Sequence, residues 1–527
     1  MREKAVRLQL LLLALVILLA ACGGSPSYEA EDSSAEPEEA AEVAEEIPDP
    51  AADFVFLPET MHFEQDMWTA QIIAVQEDSL FLLYHPMEEE ISVGVARVQR
   101  DGLGFTPLWY GTEFHAEEDN TLLSEVTAIA ATAARPAGGV FIVRHHYGGL
   151  ISGDDFDVFE IYTLLAIAPD GEVVQEVNLS EMLAIPEGIM FEIIRLQSLS
   201  DGRILLATLD SLYVLSPELQ LAGEMPFPAL DFIATQDDRV FVSLWDEVEE
   251  RHLVLPFDLE SGRIDEEADS LFYTHLNNVV AGTEHDLYIS TPQAVFGFDI
   301  DTGQFTMLFD WIDLDILIPF RVVPSDRGEL FFIEQYWGIR DVVHSVTLVR
   351  MDRHKPPDTP EQVELIYGAL MIDPVLRREV VAFNRSNENY RIRVRAYYNQ
   401  LDGNKERARA DFHADLLAGD VLDIVDFHLS TFYPYARYGL LADLGLLLDS
   451  DDVLEREHLA EHVQRLLEID GRLYAIGTVL IPQTMLGISA NSEHIEPAWL
   501  FVRTVLTEAL RAMQELYYIE GDEDDVS

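Results

Sequence analysis

Cysteine is nearly missing from this 527-residue chain: Cys22 is its only one. No intramolecular disulfide can brace the fold, so stability must come from buried apolar area. At 48% hydrophobic residues the chain is long enough to build two or three cores. Positive charge is scarce as well. Only 33 Lys and Arg face 96 Asp and Glu, a net charge of −63, which argues against nucleic acid and anionic lipid surfaces as partners. Lysine occurs only at Lys4, Lys355 and Lys405, a bias that reflects base composition or an acid-rich extracellular surface rather than a site. Catalytic signatures are missing too: there is no G-x-S-x-G elbow, no phosphate loop and no thiol besides Cys22. The chain therefore reads as non-enzymatic, with no cofactor and no resident metal.

What is present begins at the N-terminus. Arg2, Lys4 and Arg7 precede an apolar run from Leu8 to Leu19, broken only by Gln9, which predicts a secretory signal peptide over residues 1–22. The run is too short to span a bilayer, which takes roughly 20 apolar residues. It ends in Leu19-Ala20-Ala21-Cys22-Gly23, a sequence that resembles the bacterial lipobox. That resemblance implies cleavage before Cys22, a palmitate-bearing lipid on its thiol, and a position on the extracellular face of the cytoplasmic membrane. Residues 23–52 are Ser, Pro, Ala and Glu with almost no bulky apolar side chain, the composition of a self-repelling tether. Its run Glu36, Glu38, Glu39, Glu42, Glu45, Glu46 reads as a solvated spacer rather than a calcium site.

From residue 53 to about 353 the pattern is short strands punctuated by turns. Ser79–Tyr84, Gly139–Val143, Arg203–Ala207, Arg239–Ser243, Asp286–Ser290 and Glu329–Ile333 each follow a turn-like cluster such as Ser200-Asp201-Gly202. Phe257-Asp-Leu-Glu-Ser-Gly262 matches Phe298-Asp-Ile-Asp-Thr-Gly303 at an offset of about 41 residues, the length of a four-stranded propeller blade. An all-β propeller of about six blades is expected, each of these strands opening one; a pair of β-sandwiches is the competing reading. After the proline-rich joint Arg353–Pro360 the pattern alternates. A strand at Glu364–Tyr367, a helix at Pro374–Asn384, a strand at Tyr390–Tyr397, a helix at Lys405–Leu417 and a strand at Leu422–Phe427 predict an α/β domain over residues 361–518 with a parallel sheet. Further helices are expected near Glu455–Leu467 and Ala498–Leu516, and an acidic tail over 519–527.

The segments Val380–Asn384, Tyr390–Val394, Leu417–Ile424, Tyr438–Leu444, Asp470–Ile476 and Ala498–Val502, in that order, resemble the extracellular solute-binding proteins of bacterial carbohydrate ABC importers. The match covers about the last third of the chain. Leu422 stands where that family usually has proline, and the late helix follows Tyr474 within about 25 residues, so the family's second lobe has no counterpart here. The resemblance implies a periplasmic-binding-protein-like lobe, a sugar or oligosaccharide ligand, and an ABC permease as partner. It also implies ligand contacts at the carboxyl ends of the parallel strands: Tyr367, Gly368, Phe427, His428 and Ser430, with Tyr433 nearby. Core packing is the competing role for Tyr367 and Phe427, and Trp499 is expected in the core. With one lobe, half of the family's cleft is present, unless the propeller supplies the other wall.

His458-Leu-Ala-Glu-His462 fits the H-x-x-E-H order of inverted zinc peptidases, but no helical peptidase core surrounds it and a surface helix is the simpler reading. His145-His146 is expected to be a turn pair beside a strand. Three activities follow as alternatives: solute binding linked to carbohydrate import, a propeller that docks a protein or glycan, and a metallopeptidase. The anchor is the easiest part to test. Replacing Cys22 with alanine should move the chain from the membrane fraction to the soluble fraction on cell fractionation; unchanged membrane retention would contradict the lipid anchor.

Overall fold

The computed structural model describes residues 55–507, apart from short interruptions of which the longer ones are 186–190, 338–343, 355–361, 457–466 and 478–483. Cys22, the tether, the H-x-x-E-H segment and the acidic tail lie outside the described residues. Residues 55–354 form six four-stranded antiparallel blades, with the first two joined edge to edge in one eight-stranded sheet. Their joint is the pairing of Thr106–Glu118 with Thr121–Ala134, strands long enough to run past the blades. These long strands are why the early spacing looks irregular in the sequence.

The count of six agrees with the sequence reading, but the six apolar runs do not open the blades. They are second strands: Ser79–Pro86, Val140–Ser152, Ile204–Thr208, Val240–Asp246, Leu287–Ser290 and Leu330–Trp337. A second strand lies inside its blade and is covered on both faces by neighbouring blades. Leu205 therefore joins the core between blades three and four while Leu206 joins the one between blades two and three. Phe331 and Phe332 divide in the same way between blades six and one and blades five and six. Burial on both sides produces the continuous apolar runs. The first strands are short or interrupted by polar groups, as in Val279–Ala281 and Val323–Pro324, and carry little pattern of their own.

The 41-residue repeat is the outer hairpin of blades four and five. Phe257 pairs with Ile264 and Phe298 with Phe305 across the two turns. Gly262 and Gly303 sit at φ 65° and 66°, where a β-carbon would be strained, and each N–H donates to the carbonyl of the Asp four residues earlier, at 2.8 Å.

Beyond the ring, a five-stranded sheet runs in the order Tyr390–Ala396, Val363–Ala369, Ile424–His428, Thr484–Ile488, Ile476–Gly477. The first three strands are parallel, as expected; the last two are antiparallel, which corrects the all-parallel expectation. Asp373 caps the Pro374–Ser386 helix by accepting from Val375 N–H at 2.7 Å, with proline in the first turn. Gly419, at φ 82°, ends the Lys405–Ala418 helix. The late helix is described over residues 495–507, with Trp499 buried and its indole N–H donating to Asp451 at 2.7 Å.

The two parts are fastened by the turn after blade five. Trp311 is fully buried in the propeller core between blades five and six, while its neighbour Ile312 is buried in the core of the C-terminal lobe. Around this double anchor, Arg391 pairs with Asp315 at 3.0 Å, and Arg377 donates to the carbonyls of Pro292 and Leu317. In the other direction, Leu401 of the lobe enters the core between blades four and five. Ile312→Ala should cost about 2–5 kcal/mol in local stability. Amide exchange should then quicken in 365–369 and 424–428 but not in 204–208; uniform behaviour across both regions would contradict the double anchor.

Candidate functional site

A cavity of about 950 Å³ is lined by the first strands of all six blades, so it is the central channel of the ring. Its size is that of a small-molecule pocket. Hydrogen bonds between adjacent first strands show that they run side by side in one direction. Near their starts, Arg195 donates to both oxygens of Asp231 at 2.7 Å; near their ends, Gln197 donates to Ala234 O at 2.6 Å and Ser198 to Ala134 O at 2.7 Å. One mouth of the channel thus gathers residues at or near the starts of four of the six first strands: Arg195, Asp231, Asn278 and Arg321. Burial, then the charge of Arg195, push the Arg321 guanidinium down to about 10, against the pull of Asp231.

In the C-terminal lobe, the expected contact residues are not a cleft wall. Tyr367 is fully buried and donates its hydroxyl to Asp426 at 2.8 Å; Phe427 is buried, parallel to Phe432 and edge-on to Tyr435. Both belong to the lobe's core, because alternate residues of a central strand covered by helices face packed side chains on either side. Gly368 is glycine for packing: a β-carbon there would lie 2.7 Å from Leu422. His428 and Tyr433 are exposed, at the end of the strand and on the following Leu429–Arg437 helix; Ser430 lies in that same helix. The ligand set implied by the resemblance is therefore split between the interior and the surface.

Sequence reading missed the ionisable group at these strand ends. Burial, reinforced by the charge of Asp373 and opposed by the Tyr367 hydroxyl, lifts the Asp426 carboxyl to about 7. It also missed the channel mouth, whose signal lies in register: Arg195 and Asp231 occupy nearly matching positions of successive blades. His145 and His146 are inside the Val140–Ser152 strand rather than in a turn; His145 stacks on Tyr162 with ring centroids 4.2 Å apart. Among the described residues, no group of three or more His, Cys, Asp or Glu is placed to hold a metal ion.

No family model matches the chain, and no curated protein matches it. Among solved structures it is similar to an ABC substrate-binding protein of Listeria monocytogenes in complex with cycloalternan, at 20% identity over 22% of this chain and 29% of that one, TM-score 0.19. It is also similar to the soluble aldose sugar dehydrogenase of Escherichia coli, at 11% identity over 56% and 99%, TM-score 0.35. A gluconolactonase of Xanthomonas campestris aligns at 13% identity over 58% and 99%, TM-score 0.30. The chain spans less than a third of the length of the substrate-binding protein it matches.

The Asp426 carboxyl gives a pH prediction with a definite sign. Its folded pKa of about 7 lies above the ordinary 3.8, so the folded state holds the extra proton and stability falls as pH rises from about 4 to 7. Asp426→Asn should remove that loss, gaining up to roughly 4 kcal/mol at pH 8 and much less at pH 4. Urea unfolding across this range measures it; an unchanged pH dependence would contradict the assignment.

Proposed function

We propose that this chain is a membrane-anchored extracellular binding protein associated with carbohydrate import, in which the propeller channel, rather than the cleft of a two-lobed binder, holds the solute. The observation that carries this reading is the 950 Å³ channel with hydrogen-bonding and charged groups at its mouth, set against the burial of Tyr367 and Phe427 in the lobe core. The lipobox-like start and the ordered segments after Glu364 support extracellular placement and a link to an ABC permease. A lobe fastened through Trp311 and Ile312 suits a fixed mount better than a swinging jaw. The activity is recognition without catalysis.

A second reading has its own support. Leu209, Leu230, Trp245 and Val248 are exposed on blades three and four, at the same end of the ring as the channel mouth. Exposed apolar groups gathered in this way suit docking of a protein or glycan at the rim.

Calorimetric titration of the mature chain against neutral and acidic mono- and oligosaccharides separates the two. Channel binding predicts saturable heats that persist in Phe427→Leu and in Trp245→Ala. Binding lost in Trp245→Ala alone favours the rim, and silence across the panel from folded protein contradicts solute binding.

A further inference from the structure

We propose that the channel mouth is an oxyanion site in which Arg321 receives the carboxylate of a small acidic solute, an inference that rests on the channel being the ligand compartment. Arg321 stands two residues before the Val323–Pro324 first strand of blade six and lines the cavity. Charge at this mouth is unevenly matched. Arg195 engages both carboxylate oxygens of Asp231 and also donates to Leu276 O at 2.8 Å, while Asp231 accepts a further bond from Phe232 N–H at 2.8 Å. That pair is closed. The Arg321 Nε is enclosed and has no hydrogen-bond partner among the described residues.

A partly buried guanidinium without a counterion is costly, and folded proteins ordinarily pair it. A shortage of acids does not explain the gap here, because Asp and Glu outnumber Lys and Arg 96 to 33. Arg321 also lines the cavity, where a planar carboxylate can meet the terminal nitrogens of the guanidinium through two parallel hydrogen bonds. Asn278, on the same mouth, offers an uncharged amide to the rest of the solute. The net charge available is a single positive one, inside a chain whose overall field repels anions; both conditions favour a monoanion over a phosphate dianion. A sugar acid combines the carboxylate with the hydroxyl-rich body that the channel size admits.

The test is calorimetric titration with D-glucuronate, acetate, inorganic phosphate and D-glucose, at constant ionic strength set by chloride, using the full mature chain and its Arg321→Met and Arg321→Lys variants. Glucuronate should bind at least about tenfold more tightly than glucose, acetate should compete with it, and phosphate should bind more weakly. Arg321→Met should lose at least about tenfold in glucuronate affinity, with Arg321→Lys between the two. Without ligand, Arg321→Met should melt no lower than the parent, since it removes an unmatched charge. Glucuronate affinity unchanged in Arg321→Met, or phosphate preferred over glucuronate, overturns the proposal; should Arg321→Met fail to fold, unchanged affinity in Arg321→Lys overturns it equally. If glucose binds as well as glucuronate and survives both substitutions, the oxyanion site falls while the channel remains the ligand compartment. If no probe binds, both fall.

Discussion

The ring depends on one pairing. Strand Val55–His62 lies antiparallel to His344–His354, in register from Val55 opposite His354 to His62 opposite Thr347, and so supplies the outer strand of the sixth blade. The first described strand thereby closes the ring within a blade whose other strands come from the far end of the propeller. Closure also completes the apolar core shared by blades six and one, where Leu80 and Leu82 meet Phe331 and Leu348. With every blade flanked on both sides, the first strands are forced to face one another across an axis, and the channel is the space they leave.

That geometry also fixes the C-terminal lobe. The turn carrying Trp311 and Ile312 can join two cores only because blade five holds Trp311 in place, its indole N–H donating to Thr291 O at 3.0 Å. The acidic turn is itself half inside the joint. Burial and the charge of Asp313 lift Asp310 to about 6, and Asp313 is likewise raised by burial although Arg393 and Arg391 oppose the shift. A joint held by two cores and by arginines bonded to backbone carbonyls resists the large rotations by which hinged binders close. A fixed joint of this kind agrees with the proposal that solute is held in the enclosed channel rather than in a closing cleft.

Much of this was legible in the sequence, for identifiable reasons. Strands such as Ile204–Thr208 are buried at every residue, so they stand out as apolar runs, and one occurs per blade. The Asp-x-x-x-Gly turns repeat because their glycines need a positive φ. The helices expected at Pro374–Asn384 and Lys405–Leu417 end within two residues of those observed, which Asp373 and Asn404 cap at their starts and Gly419 ends in the second. First strands were less legible: some, such as Val279–Ala281 and Val323–Pro324, have only two or three residues, too few for a detectable periodicity. Tyr367 and Phe427 were ambiguous because an aromatic residue on a central strand suits a core and a sugar platform equally, and the helix cover over that sheet decides it. Arg321 carried no local signal at all, since its isolation arises from residues 90 and 126 positions away, at Asp231 and Arg195.

The central claim is that solute enters the propeller channel. Hydrogen–deuterium exchange of the intact mature chain, compared with and without saturating glucuronate or a bound neutral oligosaccharide, tests it most directly. The account predicts slowed exchange in 193–198, 231–234 and 279–281, with residues 424–437 of the lobe unchanged. Protection confined to 424–437, with the first strands of the blades unaffected, would contradict it.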